Sequence, residues 1–128
     1  MANSGISPIH IAPPAANYTH AVLSDGPSRL LHTSGVVPVS PDGSVPEAIS
    51  HQARTVWDNI KAMLDEADMA PADVVSVTTY VIPGQDLTAV MAERDRALEG
   101  HLAASTLVVV PVLAQPAWKM EIAVVAAR

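Results

Sequence analysis

Apolar residues recur along this 128-residue chain in two periods. One segment repeats every three to four residues: Ile49, Ala53, Val56, Ile60, Leu64 and Ala67. That spacing places them on one stripe of a helix, and the pattern predicts a helix over residues 46–67. His51, Arg54, Asp58 and Asp65 fall largely off the stripe, while Trp57 and Met63 widen it. A second helix is expected after Asp86, whose carboxylate suits an N-cap. Leu87, Val90, Met91, Arg94 and Leu98 share its side, and Gly100 is a natural stop.

The other segments have strand character. Residues 74–82, "VVSVTTYVI", are rich in β-branched side chains and end at Pro83-Gly84. Residues 105–112 and 119–126 predict two closing strands. The link "LAQPAW" is too short for a helical crossover, so these two are expected to be antiparallel neighbours. Near the N-terminus, "APPAAN" is extended and stiffened by proline. The runs "THAVLS" (19–24) and "RLLHTSG" (29–35) flank "DGPS", which predicts a hairpin. The expected order is β-β-α-β-α-β-β in a single domain over residues 1–128. Two amphipathic helices can cover one face of a mixed sheet, giving an α+β two-layer sandwich. The uncovered face keeps many aliphatic positions, so burial against other copies of the chain is expected.

Composition narrows the chemistry. Hydrophobic residues make up 49% of the chain and charged residues only 16%, which excludes a disordered chain. There is no Phe, so the core must be built from Val, Ala, Leu, Ile and Met. The net charge is −6, and seven Lys and Arg residues are scattered and outnumbered. Such a balance argues against a nucleic-acid surface. The absence of cysteine removes thiolate and disulfide chemistry. No basic-then-apolar leader opens the chain, and no apolar run is long enough to span a membrane, so a cytoplasmic protein without membrane partners is expected. The five His residues show neither H-x-x-x-H nor H-E-x-x-H spacing, so no metal and no cofactor are expected.

Several phrases, in order, resemble the reactive intermediate deaminase (Rid, or YjgF-type) family. They are "APPAANYTHAV", "LLHTSGVVPVSPDG", "QARTVWDNIKAMLDEA", "DVVSVTTYV" and "LAQPAWKMEIAVVA". The resemblance covers nearly the whole chain. It implies a chorismate-mutase-like fold, a homotrimer and small-molecule clefts between subunits. It also implies hydrolysis of enamines and imines, with an arginine in "P-A-R" clamping a substrate carboxylate through its planar fork. Here that triplet aligns with Ala103-Ala104-Ser105, which puts Ser105 at the arginine position. A short neutral hydroxyl cannot replace a guanidinium, so the usual 2-imino acid substrate is not expected. Met91 and Val36 also depart from the family's Asn and Gln.

Candidate site residues follow. Glu121 is the lone carboxylate in the apolar strand "KMEIAVV"; by family position it is a general base or water-orienting group, or else it pairs with Lys119 or an arginine at an interface. Tyr18 resembles the family's cleft tyrosine, against a packing role at a subunit boundary. His20 and His32 are candidate proton carriers, or hydrogen-bonded strand residues. Ser34 and Gly35 can present backbone N–H groups to a ligand. Ser105, Thr106 and Leu107 at the strand mouth, with Trp118, are expected to line the cleft. No G-x-S-x-G elbow surrounds Ser105, which argues against a nucleophile. Three functions are carried forward: water-assisted hydrolysis or tautomerisation of an imine, enamine or related metabolite; a non-catalytic metabolite-binding or chaperone-like trimer; and, least favoured by the acidic balance, an endoribonuclease.

Overall fold

The computed structural model describes residues 2–128. Its strands are β1 (Ala2–Ile6), β2 (Ala21–Asp25), β3 (Leu30–His32), β4 (Val74–Val81), β5 (Ala104–Val109) and β6 (Met120–Ala127). Its helices are α1 (Ile49–Glu66) and α2 (Leu87–Ala97), with a 3-10 turn at Pro71–Asp73 leading into β4. The main sheet has the order β3-β6-β4-β5: β5 lies parallel to β4, β6 antiparallel to β4, and β3 antiparallel to β6. The two helices cover one face. This is the expected α+β two-layer arrangement.

The layers are held by the stripe that the periodicity predicts. Ala53, Val56, Ile60 and Leu64 of α1 pack with Val77 and Val81 of β4 and Met120, Ile122 and Val124 of β6, all nearly solvent-free. His51, Arg54, Asp58 and Asp65 are exposed. The helix starts at Ile49 rather than Pro46, because the Pro46 carbonyl accepts from the Gln52 side chain instead of entering the helix (2.8 Å). Gln52 itself is fully buried among the aliphatic residues. Its amide also donates to Ala117 O (2.9 Å) and its carbonyl accepts from Lys119 N–H (2.9 Å), which offsets the cost of burying it. In α2, Asp86 caps as expected, accepting from Thr88 and Ala89 N–H at 3.0 and 3.2 Å.

Two pairings differ from the sequence pattern. The segments around Asp25-Gly26 do not form a hairpin ladder. β2 pairs with β1, from Ala2↔Asp25 to Ile6↔Ala21, whereas β3 pairs with β6. β1, "ANSGI", has no apolar alternation to betray it; it is held by backbone bonds. Nor are the two closing strands neighbours, because β4 lies between them. Crossing one intervening strand requires only about 10 Å. The segment from Val110 to Lys119 does so, pinned at both ends by Val110 N–H to Val81 O (2.9 Å) and Ile82 N–H to Lys119 O (3.0 Å).

The sheet face away from the helices is less aliphatic than the pattern suggests. Register places Ser76, Thr78 and Tyr80 of β4 on it, beside Ala104, Thr106 and Val108 of β5 and Glu121, Ala123 and Val125 of β6. His32 joins them opposite Val125.

Candidate functional site

The open face carries an unpaired carboxylate at one end. Glu121, half-buried, stands directly opposite Tyr80 in the β4–β6 ladder. Among the described residues its carboxylate meets no donor and no cation. Within one protomer, among the described residues, neither Lys119 nor an arginine pairs with it; the Lys119 ammonium donates to Glu47 O (2.6 Å).

The chain beside Glu121 is bulged. Thr33 N–H donates to Val124 O (3.0 Å) and Val124 N–H to Thr33 Oγ1 (2.9 Å). Val36 and Ile122 exchange both backbone bonds, at 2.7 and 3.0 Å. Ser34 and Gly35 therefore stand opposite the single residue Ala123, two against one. Among the described residues, neither of their N–H groups finds a backbone acceptor. Gly35 is required for space: a Cβ there would overlap the Glu121 carboxylate, lying 2.7 Å from Cδ. The close approach that glycine permits sets free N–H groups beside a free carboxylate.

Asn59 supports this bulge from α1, its amide donating to Val37 O (3.3 Å) and Val39 O (3.0 Å). Gln52 does the same for the lead into β6. Sequence patterning identifies the two positions with the family's first helix but not with this task. Gly35→Ala is expected to push the Glu121 side chain out. Overpacking of this kind costs about 1–3 kcal/mol. A urea titration should show that cost shrinking in a Glu121→Ala background, because the two residues compete for one volume.

The other candidates lie elsewhere on the sheet. Thr19 N–H donates to Ala103 O (3.2 Å), tying the Tyr18–His20 segment to the start of β5. The Tyr18 phenol accepts from Ala15 N–H (3.2 Å), and its ring sits edge-on to His20 with centroids 6.1 Å apart. His20 Nδ1 is buried without a partner among the described residues. This cluster adjoins Ala104, which faces Ser76, whereas Glu121 faces Tyr80. Four residues of β4 separate the two rows, about 13 Å. One protomer therefore does not bring Tyr18 and His20 to Glu121.

The pleat of β5 also divides the strand-mouth residues. Thr106 shares the face of Glu121. Ser105 and Leu107 do not: they pair with Val77 and Thr79 on the helix side, and Ser105 Oγ donates back to Ala103 O (3.4 Å). Ala104, not Ser105, is the triplet residue on the open face. His32 is on that face but exposed and four residues of β6 from Glu121. Trp118 is half-buried in the segment before β6. Tyr80 was invisible as a site residue in the sequence, because only the register sets it against Glu121. The groups with displaced titration lie away from this face. The Ser44 hydroxyl holds the Asp42 carboxyl below its ordinary value, and Glu93 and Asp65 raise Arg54 and Lys61.

A mixed sheet backed by two helices, with a carboxylate and a glycine bulge on its open face, defines a two-layer α+β fold. The family model described as endoribonuclease L-PSP, the Rid/YjgF family, matches residues 9–128, and the chain belongs to that family. A RutC family protein of Haemophilus influenzae is 43% identical over 69 residues, 53% of either chain. The 2-iminobutanoate/2-iminopropanoate deaminase of Escherichia coli K12 is 34% identical over 74 residues, 57% of this chain and 58% of that one. The chain thus matches about half the length of these curated relatives. A Yersinia pestis protein of unknown function from the conserved Rid family superposes with a TM-score of 0.90 at 30% identity, covering 100% of both chains. Escherichia coli TdcF with bound serine shares the fold, with a TM-score of 0.72 at 23% identity over 98% of each chain.

Proposed function

We propose that this chain forms a homotrimer whose inter-subunit clefts hydrolyse or tautomerise an imine, enamine or related reactive small molecule. The observation that carries the reading is the Glu121 carboxylate, half-buried, unpaired, and lodged where a Cβ at position 35 would stand. A carboxylate without a competing donor is free to hold and deprotonate a water. The Ser34 and Gly35 N–H groups stand ready for a ligand oxygen or for the water itself. Tyr18 and His20 belong to the same reading as the wall that a neighbouring protomer brings to the cleft, since about 13 Å separates them from Glu121 within one chain. The half-exposed Val108 and the hydroxyls of Thr78 and Thr106 would line it.

The test follows trapping of a freshly generated imine, with and without protein, against the spontaneous rate. General-base contributions are typically about 10²–10⁴-fold, and Glu121→Gln is expected to lose that factor while keeping its fold. Unchanged turnover in Glu121→Gln would remove the base assigned here. A ligand that binds and is recovered intact would replace catalysis with a binding role in the same cleft.

A further inference from the structure

The distribution of positive charge carries the reading one step further, to the class of substrate. The chain has seven Lys and Arg residues, and each is occupied away from the open face. Arg54 and Arg96 pair with Glu93, Lys61 with Asp65 and Arg94 with Asp95, all within the two helices. Arg29 donates to Ala67 O, Arg128 to Asp68 O and Lys119 to Glu47 O, at the ends of the helical layer and its loops. On the open face the register leaves one carboxylate, Glu121, with the phenol ring of Tyr80 as its cross-strand neighbour and the hydroxyls of Thr78 and Thr106 beyond. Directly paired residues of this kind hold their Cβ atoms about 4.5–5.5 Å apart.

A face with one unpaired anion, an electron-rich ring and, among the described residues, neither lysine nor arginine, with His32 four residues of β6 away, repels carboxylates and favours positive nitrogen. We infer that the cleft selects a cationic imine derived from an amine, with no carboxylate of its own. This inference rests on the proposed hydrolytic reading for its chemistry and on the charge census for its selectivity. The step balances without a further reagent. Water adds to the carbon of R–CH=NH2⁺ and Glu121 takes one of its protons. Glu121 then returns the proton to nitrogen, the C–N bond breaks, and the second water proton leaves with the nitrogen. The products are R–CHO and NH4⁺.

Isobutylamine and valine differ only by a carboxylate, so the imines formed from them by an amine oxidase and an amino-acid oxidase make a matched pair. Rapid-mixing NMR follows loss of each imine signal and growth of its aldehyde or keto-acid signal against the spontaneous rate. The expected result is faster conversion of the isobutylamine imine, abolished in Glu121→Gln, and no effect on the valine imine. Acceleration of the valine imine alone would overturn the inference while leaving hydrolysis intact. If neither imine is accelerated, hydrolysis fails, and selectivity is read by NMR titration with isobutylammonium and isobutyrate. At least tenfold tighter binding of isobutylammonium, lost in Glu121→Gln and weakened severalfold in Tyr80→Leu, supports the inference. Equal affinities, tighter isobutyrate or no binding of either overturns it.

Discussion

An arginine introduced at Ala104 is expected to let the protein bind small carboxylates, whereas an arginine at Ser105 is not. Ala104 lies on the face of Glu121, Thr106 and Tyr80, beside the Tyr18–His20 segment. A bidentate guanidinium there supplies charge-assisted bonds worth about 1.5–3 kcal/mol, on the order of tenfold to a hundredfold in affinity for isobutyrate. Ser105 pairs with Val77, which is 1% exposed, on the side the helices cover. A guanidinium on that half-buried side of the edge strand is expected to cost about 1–3 kcal/mol of stability and to gain no ligand. Isothermal titration with isobutyrate and urea unfolding of both variants check the two halves together. Carboxylate binding by Ser105→Arg and not by Ala104→Arg would mean that the pleat of β5 is reversed from the register described.

The largest stability effect is expected at Gln52. Gln52→Leu keeps most of the side-chain volume but leaves Pro46 O, Ala117 O and Lys119 N–H without the partner that the fully buried Gln52 side chain supplies. Each stranded group costs about 1–3 kcal/mol, so a loss on the order of 3–5 kcal/mol is expected. Domains commonly have only about 5–15 kcal/mol to lose. The urea midpoint should fall with an unchanged m-value. Because Gln52 ties down the lead into β6, the loosened protein should also hold ligand less well before it unfolds. A midpoint within a few tenths of a molar of wild type would show that water replaces the lost bonds.

Much of the architecture was legible because it rests on periodicity. The α1 stripe, the Asp86 cap and the β-branched run of β4 are local features, and local chemistry decides them. β1 escaped because "ANSGI" contributes backbone bonds rather than an apolar face. The misassigned hairpin had a genuine turn signal at Asp25-Gly26, where Gly26 takes a positive φ of 60°, but β2 found its partner in β1. The order β6-β4-β5 does not follow from the sequence, because loop length limits which strands can be adjacent without selecting among them. In the site, Glu121 was visible as a lone charge in an apolar strand. Tyr80, and the division between Ala104 and Ser105, depend on register and pleat, where a one-residue step reverses the face. The sequence spacing of Tyr18, His20 and Glu121 could not show that they occupy opposite ends of one sheet.

That separation is the account's central claim about the site: it is complete only between copies. The direct measurement is complementation by mixed assembly. Tyr18→Ala and Glu121→Gln proteins, each silent alone on the isobutylamine imine, are unfolded together, refolded and assayed beside unmixed controls. A shared cleft predicts recovery to about a quarter of wild-type activity, because random assortment in a symmetric oligomer restores one intact site in four. A mixture as silent as its parents would place Tyr18 and Glu121 in the same protomer's site and contradict the account.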